Sequence, residues 1–211
     1  MRRVSDVAVS ALLLAIALPA MAAIAVAILW DDGAPFLYRQ QRTGRFRRQF
    51  AILKFRSMRK AAGGVEITAG GDPRVTRVGR FLRRYKLDEL PQLWNVLRGD
   101  MSLIGPRPEV PRYVDPNEPA WSEVHSVRPG ITDLATLVYR DEERILAGFG
   151  DPEQGYREVV LPAKLSLNLE YLKCRSVLRD LKLLALTIRY SFWPAGFNAR
   201  SVKESILHRK A

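Results

Sequence analysis

The stretch VAVSALLLAIALPAMAAIAVAILW, from Val7 to Trp30, holds no charged residue, and its only polar or helix-breaking members are Ser10 and Pro19. As a helix it comes close to the roughly 20 apolar residues needed to cross a hydrocarbon core. Three arrangements suit it. In a cleaved secretory signal, Arg2 and Arg3 would be the basic start, Val7 to Leu18 the apolar centre and Ala20-Met21-Ala22 the cleavage box. Against this, the apolar run continues past that box through Ala23, Ile24, Val26 and Leu29. The others are a straight spanning anchor and a helix that enters and leaves by one face. Pro19, at the midpoint, removes an amide donor and crowds the carbonyl four residues back, so a bend is expected there. Arg2 and Arg3 precede the segment, while Arg39, Arg42, Arg45, Arg47 and Arg48 follow it. Positive charge marks the cytoplasmic side. A bent insertion keeps both flanks there, at the cost of a freed backbone carbonyl. The expectation is a re-entrant membrane helix over residues 1–30, broken at Pro19, and a cytoplasmic-face catalytic domain over residues 31–211.

Composition limits what that domain can be. A chain of 211 residues supports one compact domain with an appendage. Its 34 basic and 22 acidic residues leave a net charge of +12, which calls for a phosphate, an anionic lipid or a nucleic acid. One cysteine, Cys174, excludes an intramolecular disulfide, and two histidines, His125 and His208, exclude a Cys/His zinc cluster. Any metal must be hard and oxygen-bound.

The charge is uneven. Between Gly33 and Val65 there is no acid, while Arg39, Arg42, Arg45, Arg47, Arg48, Lys54, Arg56, Arg59 and Lys60 supply nine positive charges, as a membrane-surface patch would. Within it Gln49 to Phe55 reads QFAILKF, compatible with a strand. Gly63-Gly64 and Gly70-Gly71-Asp72-Pro73 mark a flexible loop around Val65 to Thr68. Arg74, Arg77, Arg80 and Arg83 then recur every three residues among Val78, Phe81, Leu82 and Tyr85, which reads as an amphipathic helix with a basic face. That face is either a solvated surface or a phosphate-binding one.

Asp88 and Glu89 follow six positive charges in thirteen residues (Arg74 to Lys86). Pro91 fits the first turn of a helix and Gly99 the position just past its end. The two acids therefore sit at or just before a helix N-terminus, where a capping role needs only one of them. Adjacent carboxylates among phosphate-seeking arginines support other chemistry. One can attack phosphorus while its neighbour helps hold Mg²⁺, and the arginines spread the charge of the transferred group.

Four stretches, GAPFLYRQQRTGRFRRQFAILKFRSM (Gly33 to Met58), DPRVTRVGRFLRRYKLDELPQLWNVLRGDMSLIGPRPE (Asp72 to Glu109), RPGITDLA (Arg128 to Ala135) and YLKCRSVLRDLKLLALTI (Tyr171 to Ile188), together resemble the bacterial sugar transferase family, the monotopic phosphoglycosyl transferases. The resemblance implies that a nucleoside diphosphate sugar, with UDP-sugars the family expectation, gives its sugar phosphate to polyprenol (undecaprenyl) phosphate. UMP leaves, and a glycan is started at the cytoplasmic leaflet of the bacterial inner membrane. It implies Asp88 as nucleophile, through a covalent aspartyl sugar phosphate, and Glu89 as the residue that assists Mg²⁺ beside Asp88. It places Lys54, Arg56 and Arg83 near the phosphates, and Arg107 with Pro108, in Gly105-Pro106-Arg107-Pro108, where the nucleotide is held.

The chain departs from that family pattern twice. Leu18 stands where many members carry serine before the proline, which leaves the freed carbonyl without a hydroxyl. Asp133 stands where glycine often follows Pro-Gly-Ile-Thr, and Tyr139-Arg140-Asp141-Glu142-Glu143 comes after it, a departure expected to bear on the sugar. Asp180 matches a family aspartate and equally suits a salt bridge to Lys182 or Arg179. It lies in an amphipathic stretch from Leu178 to Trp193, where Leu181, Leu184, Ile188, Phe192 and Trp193 are expected along the membrane interface, a buried core helix being the alternative. The fold expected is α+β and helix-rich, a single catalytic domain carrying the re-entrant helix and interfacial amphipathic helices. A rival from another class, a membrane-tethered nucleic-acid-binding protein, draws on the same net charge. It lacks an evident stacking platform, and its acids would repel a phosphate backbone. No residue separates glucose, galactose or an N-acetylated amino sugar as donor, and the oligomeric state is silent.

Overall fold

The first helix, α1 (Arg2–Asp32), is continuous. The break expected at Pro19 does not interrupt the helix: the proline lies inside it, where it can bend the axis without ending the helix. A seam of shielded residues runs on both sides of it. Arg3, Val7, Ser10, Leu14, Ala17, Met21, Ile24 and Ile28 recur every three or four positions and are buried or half-buried, with Asp6, Ala25 and Ala27 beside them. Contacts before and after the proline hold both arms against one body, while Pro19 faces outward. The opposite face, with Leu12, Ile16, Leu18, Val26 and Trp30, is exposed and apolar.

The computed structural model describes residues 2–59, 68 and 70–207. Lys60, Gly63, Gly64 and Val65 of the expected basic patch and loop, and His208, lie outside the described residues. β1 (Leu37–Thr43) and β2 (Gln49–Phe55) form an antiparallel hairpin in which Tyr38 faces Lys54. The strand expected from QFAILKF is β2. α2 (Arg77–Arg84) is the basic helix, capped by the Thr76 side chain, and α3 (Gln92–Arg98) is bounded by Pro91 and by Gly99 at φ 96° as the sequence indicates. β3 (Ser102–Ile104) pairs in parallel with β4 (Gly130–Thr132), and α4 (Pro119–Val124) lies between them in the chain. α5 (Leu134–Val138), α6 (Glu142–Leu146) and α7 (Pro152–Gly155) are short, and a wide turn at Tyr156–Val160 leads into α8 (Leu161–Cys174). α9 (Val177–Phe192) and α10 (Ala199–Leu207) complete the described chain. The result is α+β and helix-rich.

Leu93 of α3, Leu103 and Ile104 of β3, Leu134 of α5, Tyr171 of α8, Leu183 of α9 and Ile206 of α10 form the main core. α9 has two faces. Leu178, Leu181, Ile188, Phe192 and Trp193 are exposed as expected of an interfacial helix, but Leu184 is half-buried against the main core and leaves that set. Both ends of α1 are tied to the same body. Arg3 donates to the Val96 and Leu97 carbonyls at the C-terminal end of α3, the first of which also accepts from the Gly99 amide. At the other end Asp31 accepts from the Val78 amide, and Asp32 pairs with Arg56 and Arg59.

Candidate active site

The site is assembled by three local devices. Lys86, in a left-handed conformation at φ 57°, reverses the chain after α2 and starts the tight turn Leu87–Glu89 that carries both acids. Asn95, mid-way along α3, then pins that helix to β2: its amide donates to the Ala51 carbonyl at 2.8 Å and its carbonyl oxygen accepts from the Leu53 amide at 3.0 Å. This places Lys54, the next residue on β2, beside Glu89. The third device positions Arg107. Gly105 and Gly130 approach so closely that a Cβ on Gly130 would lie 2.1 Å from the Gly105 nitrogen, so the crossing requires glycine. Beyond it the Asp133 carboxylate accepts from the Arg107 amide at 2.7 Å and caps α5 through the Thr136 amide.

Glu89 is consequently held between two cations. Lys54 Nζ donates to its Oε1 at 3.2 Å, and Arg107 reaches both oxygens, with Nη1 3.1 Å from Oε2 and Nη2 bonded to Oε1. This is the fork geometry by which guanidinium binds carboxylate most strongly. Burial alone would raise the Glu89 carboxyl, but Arg107 and then Lys54 outweigh it and hold the group well below the usual carboxylate range. Asp88, one residue away, has the opposite fate. It is 6% exposed, its Oδ1 is buried with no hydrogen-bond partner, and desolvation followed by the charge of Glu89 raises its pKa. Burial pushes Lys54 down to about 8, against the pull of Glu89.

Two cavities meet at this pair. The larger, about 920 Å³, runs from Asp88, Lys54, Arg83 and Arg107 out past Tyr38 and Tyr113. The smaller, about 160 Å³, shares those first four residues together with Glu142, Glu143 and Lys164, and is bordered by residues of α5 and α6.

The remaining expected site residues are distributed unevenly. Arg83 faces both cavities and is paired with Glu143. Arg56 borders the larger cavity, but its guanidinium is turned to the end of α1, donating to the Asp32 and Gly33 carbonyls and pairing with the Asp32 carboxylate. Pro108 offers its carbonyl to Arg42 and borders neither cavity. Asp133 is fully buried and acts on the site only through Arg107 and α5. Asp180 also borders neither cavity; its partners are Tyr171, Arg175 and Arg2, in place of the expected Lys182 or Arg179. Glu142 and Glu143 fall in the segment expected to bear on the sugar, whereas Asn95 and Lys164 carry no weight as site residues in the sequence. Of those two only Asn95 left a signal, an amide inside a short apolar helix.

The carboxylate pair suits a hard cation. Magnesium is held by one or two carboxylates together with water and substrate phosphates. Of about four lone-pair positions on a carboxylate, Glu89 uses three on Lys54 and Arg107, and the neighbouring Asp88 Oδ1 uses none. Among the described residues no cluster of three or more acids, histidines or cysteines competes for such an ion.

The profile of the bacterial sugar transferase family matches residues 1–194, and the chain belongs to that family. A UDP-glucose:undecaprenyl-phosphate glucose-1-phosphate transferase of Caulobacter vibrioides is 38% identical over 192 residues, covering 89% of this chain and 68% of that protein. An undecaprenyl-phosphate glucose phosphotransferase of Komagataeibacter xylinus is also 38% identical, over 89% of this chain and 35% of its own length. A UDP-N-acetylgalactosamine-undecaprenyl-phosphate N-acetylgalactosaminephosphotransferase of Aeromonas hydrophila is 36% identical, over 94% and 45% respectively. The chain thus spans about two thirds of the first relative and less than half of the other two. The nucleic-acid alternative finds no support here. Several arginines that prompted it are paired internally, among them Arg42 with Glu109, Arg74 with Asp72 and Arg83 with Glu143.

Proposed function

We propose that this protein transfers a sugar 1-phosphate from a UDP-sugar to undecaprenyl phosphate, releasing UMP, through a covalent intermediate on Asp88. The observation that carries the proposal is the contrast within the acidic pair: Glu89 is neutralised by Lys54 and Arg107, while Asp88 brings a buried, unpartnered oxygen to the point where two cavities meet. In the first step a carboxylate oxygen of ionised Asp88 attacks the phosphorus that bears the sugar. The bond from that phosphorus to the bridging oxygen breaks, and UMP departs with the electron pair. In the second, an oxygen of undecaprenyl phosphate attacks the same phosphorus and the Asp88 carboxylate is released. Arg107 and Lys54 stabilise charge on the transferred group because they are already fixed in place by Glu89. Arg83 joins them once phosphate oxygens replace Glu143 as its partner. Glu89 and Asp88, together with the substrate phosphates, would hold Mg²⁺, which would supply further neutralisation of that charge.

The proposal includes a place on the cytoplasmic face of the inner membrane. The long apolar helix and the relatives that act on a polyprenol phosphate support membrane association. Both ends of α1 remain bonded to the catalytic body, as an insertion that returns to one face requires. The test is an assay with UDP-sugars, undecaprenyl phosphate and Mg²⁺ that identifies the released nucleotide. UMP release by the wild type, with at least a thousandfold loss in Asp88→Asn and a labelled protein adduct formed from donor alone, is the expected result. Release of UDP, or near-normal turnover by Asp88→Asn, overturns the proposal.

A further inference from the structure

The small cavity beside Asp88 is walled on one side by Tyr139, Arg140, Glu142 and Glu143. In the transfer proposed above, the sugar is bonded to the phosphorus that Asp88 attacks, so its ring must lie within one phosphate of that residue. Of the two spaces open to Asp88, the one of about 920 Å³ has room for a nucleotide, whereas the one of about 160 Å³ admits a single ring and little more. Twelve side chains line the smaller space. None is aliphatic, and its one ring is the phenol of Tyr139.

Two features show that it is built to bind. Thr136 brings a buried hydroxyl with no hydrogen-bond partner, a group that a folded protein rarely leaves unused. Lys164, 8% exposed, is bonded to Glu142 at 2.7 Å, so a cation and a carboxylate are held together at the wall. We infer that this cavity is the sugar subsite, that Thr136, Glu142 and Lys164 contact the sugar, and that the subsite favours an unsubstituted hexose over an N-acetylated one. The inference rests on the transfer reaction being the activity.

The selectivity follows from hydrogen-bonding capacity. Hexose hydroxyls donate and accept, which matches carboxylates that only accept, an ammonium that only donates and a hydroxyl that does both. An acetamido group puts a methyl where there is no apolar wall. It also replaces a hydroxyl, which donates and accepts at one atom, by a bulkier group that donates through its N–H and accepts through a carbonyl two bonds away, so the match to the paired Glu142 and Lys164 is lost. A site built to bond a hydroxyl discriminates strongly against a ligand that leaves its polar groups unpaired.

The test uses the full chain in lipid nanodiscs with undecaprenyl phosphate and Mg²⁺, scoring UMP release from UDP-glucose, UDP-galactose, UDP-N-acetylglucosamine and UDP-N-acetylgalactosamine. The expected result is a kcat/KM at least about tenfold higher for one of the plain hexoses than for either acetamido sugar. Thr136→Val, which keeps the shape and removes the hydroxyl, should narrow that ratio to roughly threefold or less through the hexose arm. Glu142→Gln should do the same, with thermal unfolding used to show that each variant is folded. Equal or better turnover of an acetamido donor overturns the subsite and leaves the transfer reaction standing, as does a ratio unchanged in both variants. Silence of all four donors removes the transfer reaction and the subsite together.

Discussion

Two clusters in this protein are built from similar parts. In one, Glu89 meets Lys54 and Arg107; in the other, Asp180 meets Arg175 and Arg2 and accepts from the Tyr171 hydroxyl. Both acids are largely withdrawn from water. They differ in what lies next to them. Beside Glu89 are two cavities and a second carboxylate with an unpartnered oxygen. Around Asp180 the remaining capacity is spent on structure, with Arg175 also donating to the Ile104 carbonyl at 2.6 Å and Arg2 drawing in the start of α1. A buried ion pair therefore does not by itself mark a candidate site. What sets the first cluster apart is Asp88, which has an unpartnered oxygen and borders two cavities.

Replacing each acid tests that difference. Glu89→Gln leaves two cations underneutralised in the site and should lower kcat/KM by at least about a hundredfold. A loss under tenfold would put Glu89 in the same class as Asp180. Asp180→Asn breaks a buried pair and should cost about 3 kcal/mol in chemical denaturation, while the folded fraction keeps kcat within about threefold, the change expected of a side chain outside the site. A large fall in kcat at unchanged stability would show that the Arg175 tie to β3 reaches Arg107.

The pH profile sharpens the contrast, because burial shifts both Asp88 and Lys54 of the first cluster toward their neutral forms. Asp88 must be ionised to attack, and its raised pKa means that kcat/KM falls on acidification before an ordinary carboxylate would protonate. On the alkaline side Lys54 loses its proton through about pH 8, so kcat/KM should fall by up to about tenfold per unit above that value. Lys54→Arg, which stays charged, should remove the alkaline limb. An unchanged alkaline limb in that variant would exclude Lys54 as its origin. The smallest effect is expected from Arg2→Ala. Its guanidinium is half exposed and 3.7 Å from Asp180, so denaturation should show a loss under about 1 kcal/mol, well below that of Asp180→Asn.

Much of the local structure was legible in the sequence. Pro91 and Gly99 bound α3, the apolar run of Gln49 to Phe55 forms β2, and the acidic pair falls just before a helix, because each rests on the conformational limits of a few adjacent residues. Where the outcome depended on distant packing, the reading went astray. Pro19 lies within α1 without ending it, and shielded residues flank it on both sides. Leu184 turns inward to the core, and Asp180 bonds Arg175 rather than a neighbour on its own helix. Asp133, singled out for the sugar, supports Arg107 instead, while Glu142, further along the same segment, borders the small cavity.

From the order of residues alone came an apolar anchoring helix, a basic body and an acidic pair at a helix entrance, all set by hydropathy, proline and glycine sterics and charge along a short stretch of chain. Only the folded structure decided which of two adjacent carboxylates would be neutralised and which left with an unpartnered oxygen. Lys54 stands 35 residues before Glu89 and Arg107 stands 18 after it, and no neighbouring-residue rule determines which charges meet once water is excluded.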